Sequence, residues 1–469
     1  MARDKPIVAM KGGRTRSGAK AAGSHTAALA GSETAVEALF HQAGVIRADT
    51  LEELVDVTAL LSAAPLPRGR RVALLTNAGG LGILCADACE AAGLELPPLA
   101  EETRRALAEL LPQEASLANP VDMLGSATEE TYEAVLPHLI ADPGIDAVIA
   151  LFVPPVVAEA GDVAEAVVRA ALASDESRKP VLAAFVTGEG TPAAFLRAPR
   201  RVAAFPYPES AARALGRAVE RAEWLRRPGG SVPELDRIDR SRAEEIVASV
   251  LAERGESWLE PAETRALLEA YGIPVVGERL CKTAAAAAAA ATELGYPVVV
   301  KSAEAGSHKT ERGAVALDLG DESEVGEAAA RIGGPVLVQP MVQGGAELLA
   351  GVVQDPVFGP LVAFGPGGVF AELIGEAQFR IAPLTDVDAD ELVLGGKAGR
   401  LVRGFRGRPA ADAGALIDLV HRLSRLAEDV PEVAELDLNP VIAQPDGCVA
   451  VDARIRVRPL EPLARTKTW

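Results

Sequence analysis

Apolar residues in this chain fall into short unbroken runs, separated by longer stretches where they recur every three or four positions. Residues 72–75, 147–152 and 181–185 are continuous apolar runs, which predict strands buried on both faces. Residues 80–92, 101–110, 128–140, 159–174 and 209–225 carry the helical period between and around them. Strands without polar alternation, set among amphipathic helices, imply a parallel sheet covered on both sides. Ahead of this block, 6–10 reads as a buried-type strand, 32–42 as a helix, 45–47 as a short strand and 50–61 as a helix. Residues 1–65 are too few for a complete α/β domain and look like the back half of one. The expectation is that the chain is an incomplete piece of a longer protein, or that another polypeptide completes that domain.

Residues 70–226 then form a second domain, and 227–241 a linker, since the stretch from Arg226 runs through Pro228-Gly229-Gly230-Ser231-Val232-Pro233 into mixed charge. The remainder, 242–469, reads as α+β. Its run of eight alanines, 284–291, follows a capping threonine, Thr283, and predicts an ordinary helix because alanine is the best helix former.

Composition narrows the function classes. A chain of 469 residues has room for about three domains. The net charge of −19 argues against broad binding to nucleic acid or to a membrane surface, both of which are polyanionic. Small anions stay open, because backbone N–H groups and one lysine can hold a phosphate on an acidic protein. Cys85 and Cys89 lie four apart on a predicted helix, Cys281 and Cys448 are isolated, and there is no Cys-x-x-Cys, so neither structural zinc nor disulfide stapling is expected. The N-terminus lacks a basic segment followed by an apolar run, and no apolar stretch approaches 18 residues. A soluble cytoplasmic protein is expected.

The candidate chemistry starts at Ser24-His25-Thr26, a histidine among small residues just before a helix that opens at Ser32-Glu33. Helix N-termini carry unpaired N–H groups and partial positive charge, which suit phosphoryl oxygens; a surface histidine in a polar turn is the alternative. Thr76-Asn77-Ala78-Gly79-Gly80-Leu81-Gly82 joins a strand to a helix, where Gly79, Gly80 and Gly82 either let N–H groups approach an anion or permit tight packing. Asn119-Pro120-Val121-Asp122 is a turn that serves binding or loop orientation equally well. Lys301 ends an apolar strand, the geometry of a cation reaching nucleotide phosphates or simply solvent. Downstream, alternation puts Asp437 and Asn439 on one face of a late strand, with Asp452 on an adjacent one; oxygen-only donors are what Mg²⁺ requires beside nucleotide phosphates.

Taken together these motifs resemble the nucleoside-diphosphate-forming acyl-CoA synthetases, the ADP-forming acetate–CoA ligases and succinyl-CoA synthetase among them, over nearly the whole chain and in the family's order. The resemblance implies an α/β fold: flavodoxin-like, succinyl-CoA synthetase-like parallel-sheet domains followed by an ATP-grasp domain. It places His25 on the phosphohistidine loop, and Thr76 to Gly82 and Asn119 to Asp122 on loops of the second flavodoxin-like domain. Lys301 falls on the phosphate-binding lysine, Gln339 and Glu347 on the nucleotide hinge, and Asn439 and Asp452 on the metal ligands. His308, in Ser307-His308-Lys309-Thr310, falls where a second histidine relays phosphate, although Ala314 replaces a frequent glycine there and stiffens the loop. Gly365-Pro366-Gly367-Gly368 and Phe405-Arg406-Gly407 also match, without a role. The implied reaction interconverts acyl-CoA, ADP and phosphate with carboxylate, CoA and ATP through phosphohistidine, with Mg²⁺ and ATP/ADP, on an acetate-type substrate. The family's CoA-binding domain, and a glutamate that orients the histidine, lie before the point where this sequence starts. CoA and the small carboxylate would therefore need that domain from elsewhere, and a homo- or hetero-oligomer is expected. Two other readings are an acyl-CoA-sensing region of a protein lysine acetyltransferase and an ATP-grasp ligase joining a carboxylate to an amine. Retained His25, Lys301, Asn439 and Asp452 favour catalysis over sensing, and the histidine loop speaks against the amine ligase.

Overall fold

The computed structural model describes residues 2–12, 33–155, 158–174, 178–197, 202–303, 314–368, 377–405 and 407–460. Two compact units divide the chain: Met1–His25 with Ala43–Arg227, and Thr26–Gln42 with Pro228–Trp469. Residues 33–42, which the sequence reading groups with 1–65, cluster by their contacts with the second unit. Continuity of sequence does not decide which surface a short helix buries.

In the first unit, β1 (Val8–Met10) pairs in parallel with β2 (Ile46–Ala48), while the helix between them, α1 (Glu33–Ala43), belongs to the second unit except for its last residue. β1 is half-exposed rather than doubly buried as expected, because its one partner is a strand of three residues. There follow α2 (Leu51–Ala63), β3 (Val72–Thr76), α3 (Gly79–Ala91), α4 (Glu101–Leu110), β4 (Val121–Asp122), α5 (Glu129–Ala141), β5 (Ala147–Phe152), α6 (Ala160–Ala173), β6 (Val181–Phe185), β7 (Val202–Phe205) and α7 (Pro208–Arg226). The strands form one parallel sheet in the order β4-β3-β5-β6-β7, the 2-1-3-4-5 order of flavodoxin-like folds. Side chains alternate across it. Leu75, Val148, Ala150 and Phe152 pack under α5 and α6 with Tyr132, Leu136 and Val163, whereas Leu74, Ile149, Leu151 and Leu182 meet α2, α3 and α7 through Leu60, Cys85 and Leu215. Both faces are covered, which is why β3, β5 and β6 contain no exposed position.

The second unit carries α8 (Arg240–Arg254), β8 (Ser257–Trp258), α9 (Pro261–Ala270), β9 (Arg279–Cys281), α10 (Ala284–Leu294), β10 (Val298–Ser302), β11 (Val315–Leu319), α11 (Glu322–Ile332) and β12 (Val336–Pro340). It continues with β13 (Ala346–Asp355), β14 (Gly359–Pro366), β15 (Gln378–Ile381), α12 (Asp386–Leu394), α13 (Gly396–Val402), α14 (Ala413–Asp429), β16 (Val433–Gln444), β17 (Gly447–Ala450) and β18 (Ala453–Val457). An antiparallel sheet, β11-β10-β12-β9, is covered by α10 and α11. The alanine run is the helix expected: the Thr283 hydroxyl accepts from Ala286 N, and Ala287, Ala288 and Ala291 are buried against the sheet, where a larger residue would hold the helix off. A larger sheet, β15-β14-β13-β16-β18-β8 with β17 alongside β16, packs against α8, α9 and α12 to α14. None of the described helices is long and apolar enough to cross a membrane.

Candidate functional site

In the second unit the two sheets bring together residues far apart in sequence. The penultimate residue of β10 is Lys301, whose buried ammonium donates to Val451 O at 3.0 Å and to Asp452 Oδ1 at 3.1 Å, with Glu278 Oε2 at 3.6 Å. The attraction of one such pair is roughly 5 kcal/mol at an effective dielectric constant of 20. Desolvating each ion costs several kcal/mol. The pair therefore contributes little net stability, and its presence points to use rather than to folding.

Gln339, on the neighbouring β12, donates through Nε2 to the same Val451 carbonyl at 3.2 Å. Its Oε1 is buried with no hydrogen-bond partner among the described residues. A buried amide oxygen left unpaired costs about 1–3 kcal/mol, and an N–H or amino donor from a bound molecule removes that cost. Asn439, on β16, donates its backbone N–H to Asp452 O at 3.2 Å and accepts from Gly368 N through Oδ1 at 2.9 Å. Glu435, Asp437 and Asn439 share the half-buried face of that strand while Leu436 and Leu438 face the core, as the alternation predicts. Asp452 differs slightly from expectation, sitting in the bend between β17 and β18 rather than inside a strand.

The turn after β14 holds Gly367 and Gly368 for a steric reason. A Cβ on Gly367 would run into the Leu348 backbone, and one on Gly368, which has φ +67°, would collide with the Glu347 carboxylate. Lys301, Gln339, Asn439 and Asp452 thus form one connected set through Val451 O and Asp452 O, and Glu347 adjoins it where Gly367 N donates to Glu347 O at 3.0 Å. The sequence reading missed three members: Glu278, Arg454 (Nε 3.9 Å from Asp452 Oδ2) and Gly368. Only Gly368 left a trace, in the Gly-Pro-Gly-Gly match. A cavity of about 50 Å³ lies beside Lys301, Glu278 and Asp452.

In the first unit, the turn from β3 to α3 divides its glycines by job. A Cβ on Gly79 would lie 2.8 Å from Asp122 Oδ2, and one on Gly82 would lie 3.2 Å from the Thr76 methyl, so both are needed for packing. Gly80 faces open space. Ala78, at the N-cap, offers the first turn of α3 no side-chain acceptor of its own. Asn77 bridges the two strands at the switch point, its amide donating to Val153 O at 2.8 Å and accepting from Val153 N at 3.1 Å. Asn119 requires a correction. Its Oδ1 accepts from Leu74 N at 3.0 Å, and its Nδ2 donates to Val72 O at 2.7 Å and to Pro97 O at 3.0 Å. Both amide protons are committed to backbone carbonyls, so Asn119 staples the edge of the sheet and offers no donor to a phosphate. Asp122 orients its own loop by accepting from Leu124 N at 2.9 Å.

His25 and His308 lie outside the described residues, in 13–32 and 304–313. The residues on either side of 304–313 lie beside the lysine: Lys301 pairs with Val315, and Ser302 N donates to Ala314 O at 2.9 Å.

This fold and site match three family descriptions: an ATP-grasp domain over 250–457, a succinyl-CoA ligase like flavodoxin domain over 1–61 and a Ligase-CoA domain over 72–227. The chain belongs to the nucleoside-diphosphate-forming acyl-CoA synthetase family. It is similar to the acetate–CoA ligase [ADP-forming] I of Archaeoglobus fulgidus, 39% identical across 97% of this chain and 66% of that protein. It is also similar to the 4-hydroxybutyrate–CoA ligase [ADP-forming] of Nitrosopumilus maritimus, 34% identical across 96% of this chain and 66% of that protein. The acetate–CoA ligase [ADP-forming] I subunit beta of Pyrococcus furiosus is 35% identical across 47% of this chain and 99% of its own length. The chain thus spans slightly less than two thirds of the two full-length relatives. These relatives are ligases, and nothing in them supports the acetyltransferase-sensor reading.

Proposed function

We propose that the chain performs the nucleotide-side chemistry of an ADP-forming acyl-CoA synthetase of the acetate–CoA ligase type, with His25 carrying the phosphoryl group. The observation that supports this most is the buried Lys301–Asp452 pair beside the unpartnered Gln339 Oε1. The donor set suits a nucleotide with Mg²⁺: one carboxylate and one amide oxygen, Asp452 and Asn439, leave the remaining positions to phosphate and water. Those two residues would hold the metal, which would supply neutralisation of phosphate charge. On binding, Lys301 exchanges the Asp452 carboxylate for a phosphate oxygen, while Gln339 Oε1 accepts a donor from the base. Glu347, held against Gly368, faces the sugar or the phosphates.

The imidazole of His25 then attacks the γ-phosphorus. A P–N bond forms, the bond to the β,γ-bridging oxygen breaks, and the electron pair leaves with ADP; the ring's displaced proton goes to solvent. In the second half-reaction the phosphoryl group passes to a carboxylate, giving an acyl phosphate. CoA thiolate attacks its carbonyl and releases phosphate, and all steps run in both directions. The first turn of α3, with Gly79, Gly80 and Gly82, is the proposed anion cradle for that second half, and His308 an intermediate carrier. CoA and carboxylate handling belongs to a part of the protein beyond these residues or to a partner chain, the arrangement implied by a relative that is a separate subunit. We also place the protein in the cytoplasm.

The first half-reaction needs no CoA, so it is testable on this chain alone. With Mg²⁺, labelled ADP should exchange into ATP, and His25→Ala should abolish the exchange. Lys301→Met should slow it by about 10²–10³-fold, the usual effect of deleting one preorganised donor to developing charge. Wild-type protein that binds MgATP without exchanging it would remove the carrier role of His25.

A further inference from the structure

α1 is packed as part of the second unit, although the chain on both sides of Thr26–Gln42 belongs to the first. Its attachment is specific. Ala35 and Ala38 are buried against Leu361, with Phe358, Phe379 and Ile381 around them. At its C-terminal end the Gln42 amide lies along the edge strand β15, donating to Ile381 O at 3.1 Å and accepting from Ile381 N at 2.8 Å, as the backbone of an added strand would. Beside it, His41 Nε2 lies 2.8 Å from Glu391 Oε2 and 2.9 Å from Arg380 Nη2, while Arg380 and Glu391 are 3.7 Å apart. One ring nitrogen cannot serve both neighbours. In one tautomer Nε2 accepts from Arg380; in the other it donates to Glu391 and gives up Arg380.

We propose that His41 and Gln42 are positioning residues that dock the segment following the His25 loop on the β15 edge, and so set how often His25 is presented to the nucleotide site. This rests on the reading of His25 as the phosphoryl carrier. His25 precedes Glu33 by eight residues, a tether of at most about 28 Å fully extended, which bounds how far the histidine can lie from the start of α1.

The test compares Gln42→Ala, His41→Ala and His41→Gln, the last of which restores a polar atom near the Nε2 position. Two measurements on the full chain separate the claims: amide hydrogen exchange across 33–43, and kcat and KM for ADP–ATP exchange. In both alanine variants, exchange in α1 should speed up about tenfold while α2 and α14 keep their protection. kcat should fall about tenfold with KM for ATP unchanged, and His41→Gln should recover most of it. Unchanged exchange in α1 overturns the docking, as does loosening spread through the whole second unit. Faster exchange in α1 with unaltered kcat, or an effect on KM alone, overturns the positioning role. Wild type without ADP–ATP exchange removes the carrier reading and the positioning role with it, while the amide data still decide the docking.

Discussion

At the scale of single residues, the site is recognisable by groups whose burial has no structural return. Lys301, shared between Asp452 and Glu278, and Gln339, with an amide oxygen left over, are costly arrangements for a core. Asn119 is the opposite case. The sequence left its turn open between binding and loop orientation, with a family loop matched there, and its three hydrogen bonds show a residue occupied with holding β3 and the chain near Pro97. Asn119→Ala should lower unfolding free energy by about 2–4 kcal/mol, since it strands buried backbone groups. The rate of ADP–ATP exchange should be preserved at temperatures where the variant stays folded. Urea denaturation with parallel exchange assays measures both; a variant of normal stability that fails to exchange would restore Asn119 as a ligand. The alternation that places Asp437 and Asn439 on one face of β16 was legible in the sequence, whereas Asp452 lies in the bend between β17 and β18, where no alternation could mark it. Glu278 and Arg454 were not legible, because nothing local distinguishes a carboxylate or guanidinium that meets a lysine from another part of the chain.

Elements were legible where burial on both faces leaves no ambiguity. The runs 147–152 and 181–185 are strands to the residue, and the helices around them fall within a residue or so of expectation. β4 has two residues and β7 four, too short for a period to register. The second unit's antiparallel strands mix exposed and buried positions, and α12 and α13 are short, so pattern alone passed over them. α14 carries a consequence for pH. Burial pushes the His421 imidazole below its ordinary pKa, against the opposing pull of Asp418, Asp386, Asp390 and Asp388. Over that interval the unfolded chain binds the proton and the folded one does not, so stability rises with pH. It is full above the unfolded value near 6.5 and is lost as pH falls through that value toward the folded one. The urea midpoint of the transition that reports the second unit should therefore drop between pH 7 and pH 5, and His421→Gln should flatten the drop. An unchanged slope in the variant would assign the dependence to other groups.

For the molecule as a whole, the fold class followed from alternation of strand and helix, but the division into units did not. Nothing in residues 33–43 announces that their buried alanines face Leu361 of a sheet more than 300 residues onward. That helix lies directly downstream of the His25 loop, and its attachment to the unit holding Lys301, Gln339 and Asp452 is what the proposed transfer from ATP requires. The most direct test of that central claim is mass mapping of phosphate on the full chain after incubation with Mg²⁺ and ATP, under basic conditions that preserve phosphohistidine. The predicted result is one acid-labile, base-stable phosphoryl group on His25, absent from His25→Ala and discharged by ADP to give ATP. A protein that binds MgATP yet carries no phosphate on His25, or one that carries it only on serine or threonine, would contradict the account.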